Sequence, residues 1–229
     1  MKPYDTVLFD LDGTLLNTLL GLTSALTHVF LAHHFPAPTP ETVRYGLGYG
    51  YIGLMERTLP EESPALHAQL AQEFNEWYSS HCLVATHPYD GIIDVLTRIK
   101  DNAIKTAIVS NKGAVAAKAL YEHFFAPYVA FSLGQSPNYP KKPAPDMVCA
   151  ALDKLGSTKS HALYVGDSEV DALTASPKQR PRCSPCNLGI PRRIGIARSS
   201  CHLHRQNPEG TGNYHPIEIR SLGYLLRQT

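Results

Sequence analysis

A chain of 229 residues, 43% hydrophobic and 18% charged, is long enough for one large domain, or a domain with a sizeable insertion, and apolar enough to bury a core. No apolar run approaches the roughly 20 residues of a membrane span and the N-terminus lacks a signal-peptide pattern, so a cytoplasmic location is expected. The net charge of +1 hides a break, because twelve basic and eighteen acidic residues up to Ala175 give −6, whereas nine basic and two acidic residues from Ser176 onward give +7.

The chain opens on Val7-Leu8-Phe9-Asp10-Leu11-Asp12-Gly13-Thr14. A short apolar run, read as a strand, delivers two carboxylates one residue apart onto a turn that Gly13 makes easy. In an open α/β sheet such a strand end faces the binding crevice. Two acids this close repel unless a cation relieves them, and oxygen ligands suit Mg²⁺. Residues 18–34 then read as an amphipathic helix through Leu19, Leu22, Leu26, Val29 and Phe30, with His28, His33 and His34 as surface or interface histidines. Pro36, Pro38 and Pro40 end it. Tyr45 to Gly50 carries too much glycine for a helix interior and reads as a loop where backbone approaches a ligand, or as a hinge between helices. Residues 64–80 form a second amphipathic helix through Leu66, Leu70, Phe74 and Trp77, so residues 18–82 make an all-helical block.

Around that block the pattern alternates. A helix is expected over 91–100, a buried strand over 104–109 ending at Ser110-Asn111-Lys112-Gly113, and a helix over 114–123. A strand over 128–133, a helix over 145–155 and a strand over 161–165, ending at Gly166-Asp167, follow. Strands alternating with helices predict an α/β fold, a doubly wound parallel sheet formed by residues 1–17 and 83–175. Four strand-end or loop sites line up: Asp10 with Asp12, Ser110 with Asn111, Lys142 with Pro143, and Gly166-Asp167 with Asp171. A hydroxyl at a strand end holds a phosphate oxygen and Lys142 neutralises another. Asp167 adds a metal carboxylate, and Asp171, four residues on, is placed to hold a metal-bound water or the lysine.

These four motifs together resemble those of the haloacid dehalogenase superfamily, over residues 4–174. The helical insertion resembles a type 1 cap, and the whole is similar to phosphoglycolate phosphatases and their near relatives. Asp12 argues against dehalogenases and phosphonate-cleaving relatives, which lack it. The resemblance implies that Asp10 attacks phosphorus, forming an aspartyl-phosphate, and that Asp12 protonates the leaving alcohol and later deprotonates water. It further implies Mg²⁺ held by Asp10, Asp167 and the Asp12 carbonyl, with Asp171 supporting the site, and phosphate contacts from Gly13, Thr14, Ser110, Asn111 and Lys142. The expected partner is a small phosphate ester, with neither a membrane nor a nucleic acid.

Two rival readings stand beside this one. A sugar-phosphate mutase of the same superfamily uses the same two aspartates and returns the phosphoryl group to its substrate. A zinc knuckle of Cys183, Cys186, Cys201, His202 and His204 in the basic tail would instead bind nucleic acid, although one C-x-x-C lacks a properly spaced second pair. The tail over 176–229 also departs from the pattern of the resembled family, whose members continue with a further strand and a final helix. Prolines and lost periodicity deny that here. Codons that shift Asn187-Leu188-Gly189-Ile190 by one base into the family-like Thr-Trp-Gly-Phe exist, so a reading-frame shift near Ala175 or Ser176 is expected, and the nucleotide sequence tests it.

Overall fold

The computed structural model describes residues 4–175. The chain runs through β1 (Thr6–Phe9), β2 (Leu16–Asn17), α1 (Leu19–Ala32), α2 (Pro40–Tyr45), α3 (Gly50–Thr58), α4 (Pro64–His81) and β3 (His87–Pro88). It continues with α5 (Ile92–Asp101), β4 (Lys105–Gly113), α6 (Ala114–Phe124), β5 (Ser132–Gln135), α7 (Asp146–Leu155), a 3-10 turn, β6 (Ala162–Val165) and α8 (Glu169–Thr174). Four strands make a parallel sheet in the order β5-β4-β1-β6. In register, Phe9 lies between Ile108 on β4 and Val165 on β6, which places the carboxyl ends of the three strands side by side.

Side-chain alternation along these strands builds the two faces of the sheet. Val7 and Phe9, Ile108, and Leu163 and Val165 join the larger apolar core with Ile92, Val95 and Leu96 of α5 and Ala116, Ala117 and Leu120 of α6. Leu8, Ala107, Val109 and Tyr164 point the other way, onto Met147, Ala151 and Leu152 of α7. Both faces are therefore covered, which is why these strands read as nearly continuous apolar runs. Fully burying each such side chain stabilises the fold by about 1.5–3 kcal/mol.

Between β2 and β3 stand four helices, two of which the sequence left unassigned. Pro40 opens α2 at its first turn, with the Thr39 hydroxyl accepting from the Thr42 N–H, so the proline that ends one helix begins the next. The antiparallel pair β2–β3, with Leu16 opposite Pro88 and Asn17 opposite His87, ties the chain together where it enters and leaves this block. Phe74 and Tyr78 on α4 anchor it in the core with no exposed surface. His33 bonds Glu73 at 2.7 Å and His28 stacks on Trp77, so both serve packing.

The expected strand over 128–133 is displaced to Ser132–Gln135. The N–H groups of Tyr128 and Val129 both bond the Phe125 carbonyl, so α6 ends in a turn that consumes the start of the apolar run, and Val129 is buried from that turn. No helix among the described residues is long and apolar enough to cross a membrane. The zinc-knuckle residues and the frame-shift expectation lie outside the described residues.

Candidate active site

Just past β1 the chain must turn sharply, and Gly13 does this at φ +80°. A side chain there would be strained, and its Cβ would collide with the Asp167 carboxylate, so glycine is what lets Asp167 approach the opening turn. Thr14, wholly buried, donates its hydroxyl to Asp167 Oδ1 at 2.9 Å. The Thr14 hydroxyl thus orients a carboxylate.

Lys142 is the hub. Its Nζ donates to Asp10 Oδ1 at 2.7 Å, to Asp171 Oδ1 at 2.7 Å and to the Tyr164 hydroxyl at 2.9 Å. Its side chain is 1% exposed. Burial pulls against its charge, but Asp10, Tyr164 and Asp171 outweigh that and hold it firmly protonated. Asp171 is held in turn by α8, where the Ser168 N–H and hydroxyl both donate to Oδ2 while the Ser168 oxygen caps the Asp171 N–H. Although burial works the other way, Lys142 and Ser168 keep the Asp171 carboxyl below the usual carboxylate range.

Asp12 faces a different partner. Lys112 Nζ donates to both of its oxygens, at 2.9 and 3.0 Å, and the lysine side chain has no exposed surface whereas that of Asp12 keeps 14%. The same ammonium lies 4.5 Å from the centroid of the Tyr78 ring. The metal contact expected of Asp12 was through its carbonyl, and the side chain is committed to the lysine.

Ser110 and Asn111 lie near the end of the buried part of β4, just before the buried Lys112. The Ser110 oxygen accepts from the Lys112 N–H at 3.3 Å. Asn111 Oδ1 accepts the Lys142 N–H at 2.7 Å, and Nδ2 donates at 2.9 Å to the carbonyls of both Lys142 and Gly48. The asparagine therefore braces the lysine loop against the glycine-rich segment. That segment lies between α2 and α3, as a hinge would, and lines the site, as a ligand-facing loop would. Gly48 sits at φ +87°, close against Ser168. Together with Asp10, Asp12, Ser110, Leu22, Leu47, Tyr51 and Leu54, the segment encloses a cavity of about 30 Å³.

The donor set fits a divalent cation. Oxygens of Asp10, Asp167 and Asp171 lie within 4.8 Å of one another, with the Lys142 ammonium bonded to Asp10 and Asp171. Burial pushes the Asp10 carboxyl up to about 7, against the pull of Lys142, and the neighbouring Asp171 and Asp167 raise it further. Burial also pushes Asp167 up to about 6, against the Thr14 hydrogen bond. A cation among hard oxygens would reverse both shifts. Since both Asp171 oxygens already accept hydrogen bonds, Asp10 and Asp167 are the better placed to give ligand oxygens.

Sequence reasoning missed Lys112, Tyr164, Ser168, Tyr51 and Tyr78. Lys112 had a signal, since a lysine immediately after a strand-end Ser-Asn pair is a charge entering a buried edge. Tyr164 had none, because a tyrosine in an apolar strand reads as core.

The parallel sheet gathers carboxylates around a buried lysine at its strand ends, and the chain matches the haloacid dehalogenase-like hydrolase family over residues 7–179. The chain belongs to that family. Within it the chain is a phosphatase: it is 32% identical to the phosphoglycolate phosphatase of Caulobacter vibrioides over 176 residues, 74% of this chain and 74% of that protein. It is 30% identical to the N-acetylmuramic acid 6-phosphate phosphatase of Pseudomonas aeruginosa over 164 residues, 70% of this chain and 72% of that protein. A crystal structure assigned as a phosphoglycolate phosphatase from Lactobacillus delbrueckii subsp. bulgaricus is 31% identical, with a TM-score of 0.71 over 76% of this chain and 82% of that one.

Proposed function

We propose that the chain hydrolyses a small phosphate monoester, phosphoglycolate or a close analogue, through an aspartyl-phosphate on Asp10. The observation that carries this reading is that Asp10, Asp12 and Ser110 line one cavity while Lys142 Nζ bonds Asp10 at 2.7 Å, which supports a nucleophile, a proton donor and anion contacts in one place. Asp10 forms a bond to phosphorus while the bond to the ester oxygen breaks. Asp12 gives that oxygen its proton and then takes one from the water that cleaves the aspartyl-phosphate, releasing inorganic phosphate. Ser110 and Lys142 stabilise the charge that spreads over the phosphoryl oxygens. Asp10 and Asp167 with the Asp12 carbonyl would hold Mg²⁺, which would supply further charge neutralisation. The residues from Thr18 to Cys82 act as the cap, excluding water and reading the rest of the substrate.

The resemblance of the cap to that of phosphoglycolate phosphatases, and the relatives of that name, support a two- or three-carbon phosphate acid over a sugar phosphate. The relatives named as phosphatases support hydrolysis over phosphoryl return to a sugar, the mutase reading. A panel of phosphate esters tests both, and fastest turnover of phosphohexoses would overturn the substrate reading. Asp10→Asn should abolish turnover while leaving the fold intact, and excess chelator should do the same. Full activity in either case would sink the mechanism.

A further inference from the structure

We propose that Lys112 is the positioning residue for Asp12, fixing its carboxylate for proton transfer from a seat that the helical block supplies. The proposal rests on reading Asp12 as the acid and base, and the experiment below separates the two. The ion pair that the described residues give Asp12 is with Lys112. Lys142 is already committed to three other oxygens. With Nζ bonded to both Asp12 oxygens, the plane of the carboxylate is set, as one lone hydrogen bond could not set it.

The lysine is itself fixed from behind. Its ammonium sits over the face of Tyr78, an interaction that strengthens when water is excluded. Tyr78 stacks on Phe74 with ring centroids 5.3 Å apart and meets Tyr51 edge-on at 6.5 Å, while Tyr51 also lines the cavity beside Asp12. Rings from α3 and α4 therefore hold a β4 lysine against the carboxylate that follows β1. In the first half-reaction, the bond from phosphorus to the ester oxygen breaks as the Asp10 oxygen bonds phosphorus, and the proton passes from Asp12 to the departing oxygen. The Asp12 carboxylate so formed is received by Lys112.

The test compares two esters in the full chain, because kcat/KM reports only the steps through transfer to Asp10. Phosphoglycolate releases an alkoxide, the glycolate 2-oxygen, that needs a proton, whereas p-nitrophenyl phosphate releases p-nitrophenolate, a stable anion that does not. Lys112→Met should lose about 30-fold or more in kcat/KM on phosphoglycolate and less than about 3-fold on the aryl ester. Lys112→Arg should recover part of that loss, since it keeps the charge with a different reach. The ratio of the two esters is independent of how much protein is folded. Tyr78→Leu, which keeps the ion pair and removes the ring, should show the same selectivity to a smaller extent. Equal losses on both esters in Lys112→Met would reduce the lysine to a structural part and overturn the proposal. Asp12→Asn is the reference: if it is selective and Lys112→Met is not, only the positioning role falls, and if it is unselective, the acid reading falls first.

Discussion

Lys142 reaches Asp10 from 132 residues further along the chain, its Nζ 2.7 Å from a carboxylate oxygen, and both side chains are almost wholly withdrawn from water. A buried pair of this kind contributes little net stability by itself, because desolvation offsets attraction, but removing one partner strands the other. Lys142→Met would leave Asp10, Asp167 and Asp171 facing one another without their ammonium. We expect a loss of about 3–5 kcal/mol in urea denaturation, together with near-complete loss of turnover. A variant as stable as the parent would show that the carboxylates find another counter-charge.

Gly13→Ala is expected to damage the site at its hinge. The positive φ costs an alanine about 1–2 kcal/mol, and the added methyl meets the Asp167 carboxylate, which must swing away from the Thr14 hydroxyl. Calorimetric titration should then show Mg²⁺ binding weakened about 10-fold or more, as for other lost supports of a ligand. Unchanged binding would mean that Asp167 is not a ligand.

The metal-free protein should depend on pH in a definite direction. A carboxyl whose folded pKa is raised above its unfolded value contributes stability that is complete below the unfolded value and lost as pH rises through the folded one. Asp10 moves from 3.8 to about 7 and Asp167 from 3.8 to about 6. In chelator, their contribution to Tm should fall between about pH 4 and 7. Since Mg²⁺ must displace these protons, the rise in Tm on adding it should grow over the same window and level off above it. A rise independent of pH would contradict this linkage.

The sequence by itself determined the alternating strands, the two amphipathic helices that bound the inserted block, and Asp10, Asp12, Ser110, Asn111, Lys142, Asp167 and Asp171 as a group. These are local signals: period-2 and period-3.6 spacing, a carboxylate pair on a glycine turn, and an Asp four residues before another. The placement of β5 was less legible, because an apolar run at Tyr128 is equally consistent with a turn whose side chains are buried. Nor was the β2–β3 pair legible, since two residues carry no period. Only tertiary structure decided which cation serves which carboxylate. Asp12 and Lys112 are 100 residues apart, and a lysine shows in sequence neither that it is buried nor that Tyr78, from another layer, lies behind it. The tertiary structure likewise shows the Thr14 and Asn111 side chains supporting Asp167 and the Lys142 loop, because a hydrogen-bond donor in a motif goes to whichever acceptor packing brings nearest.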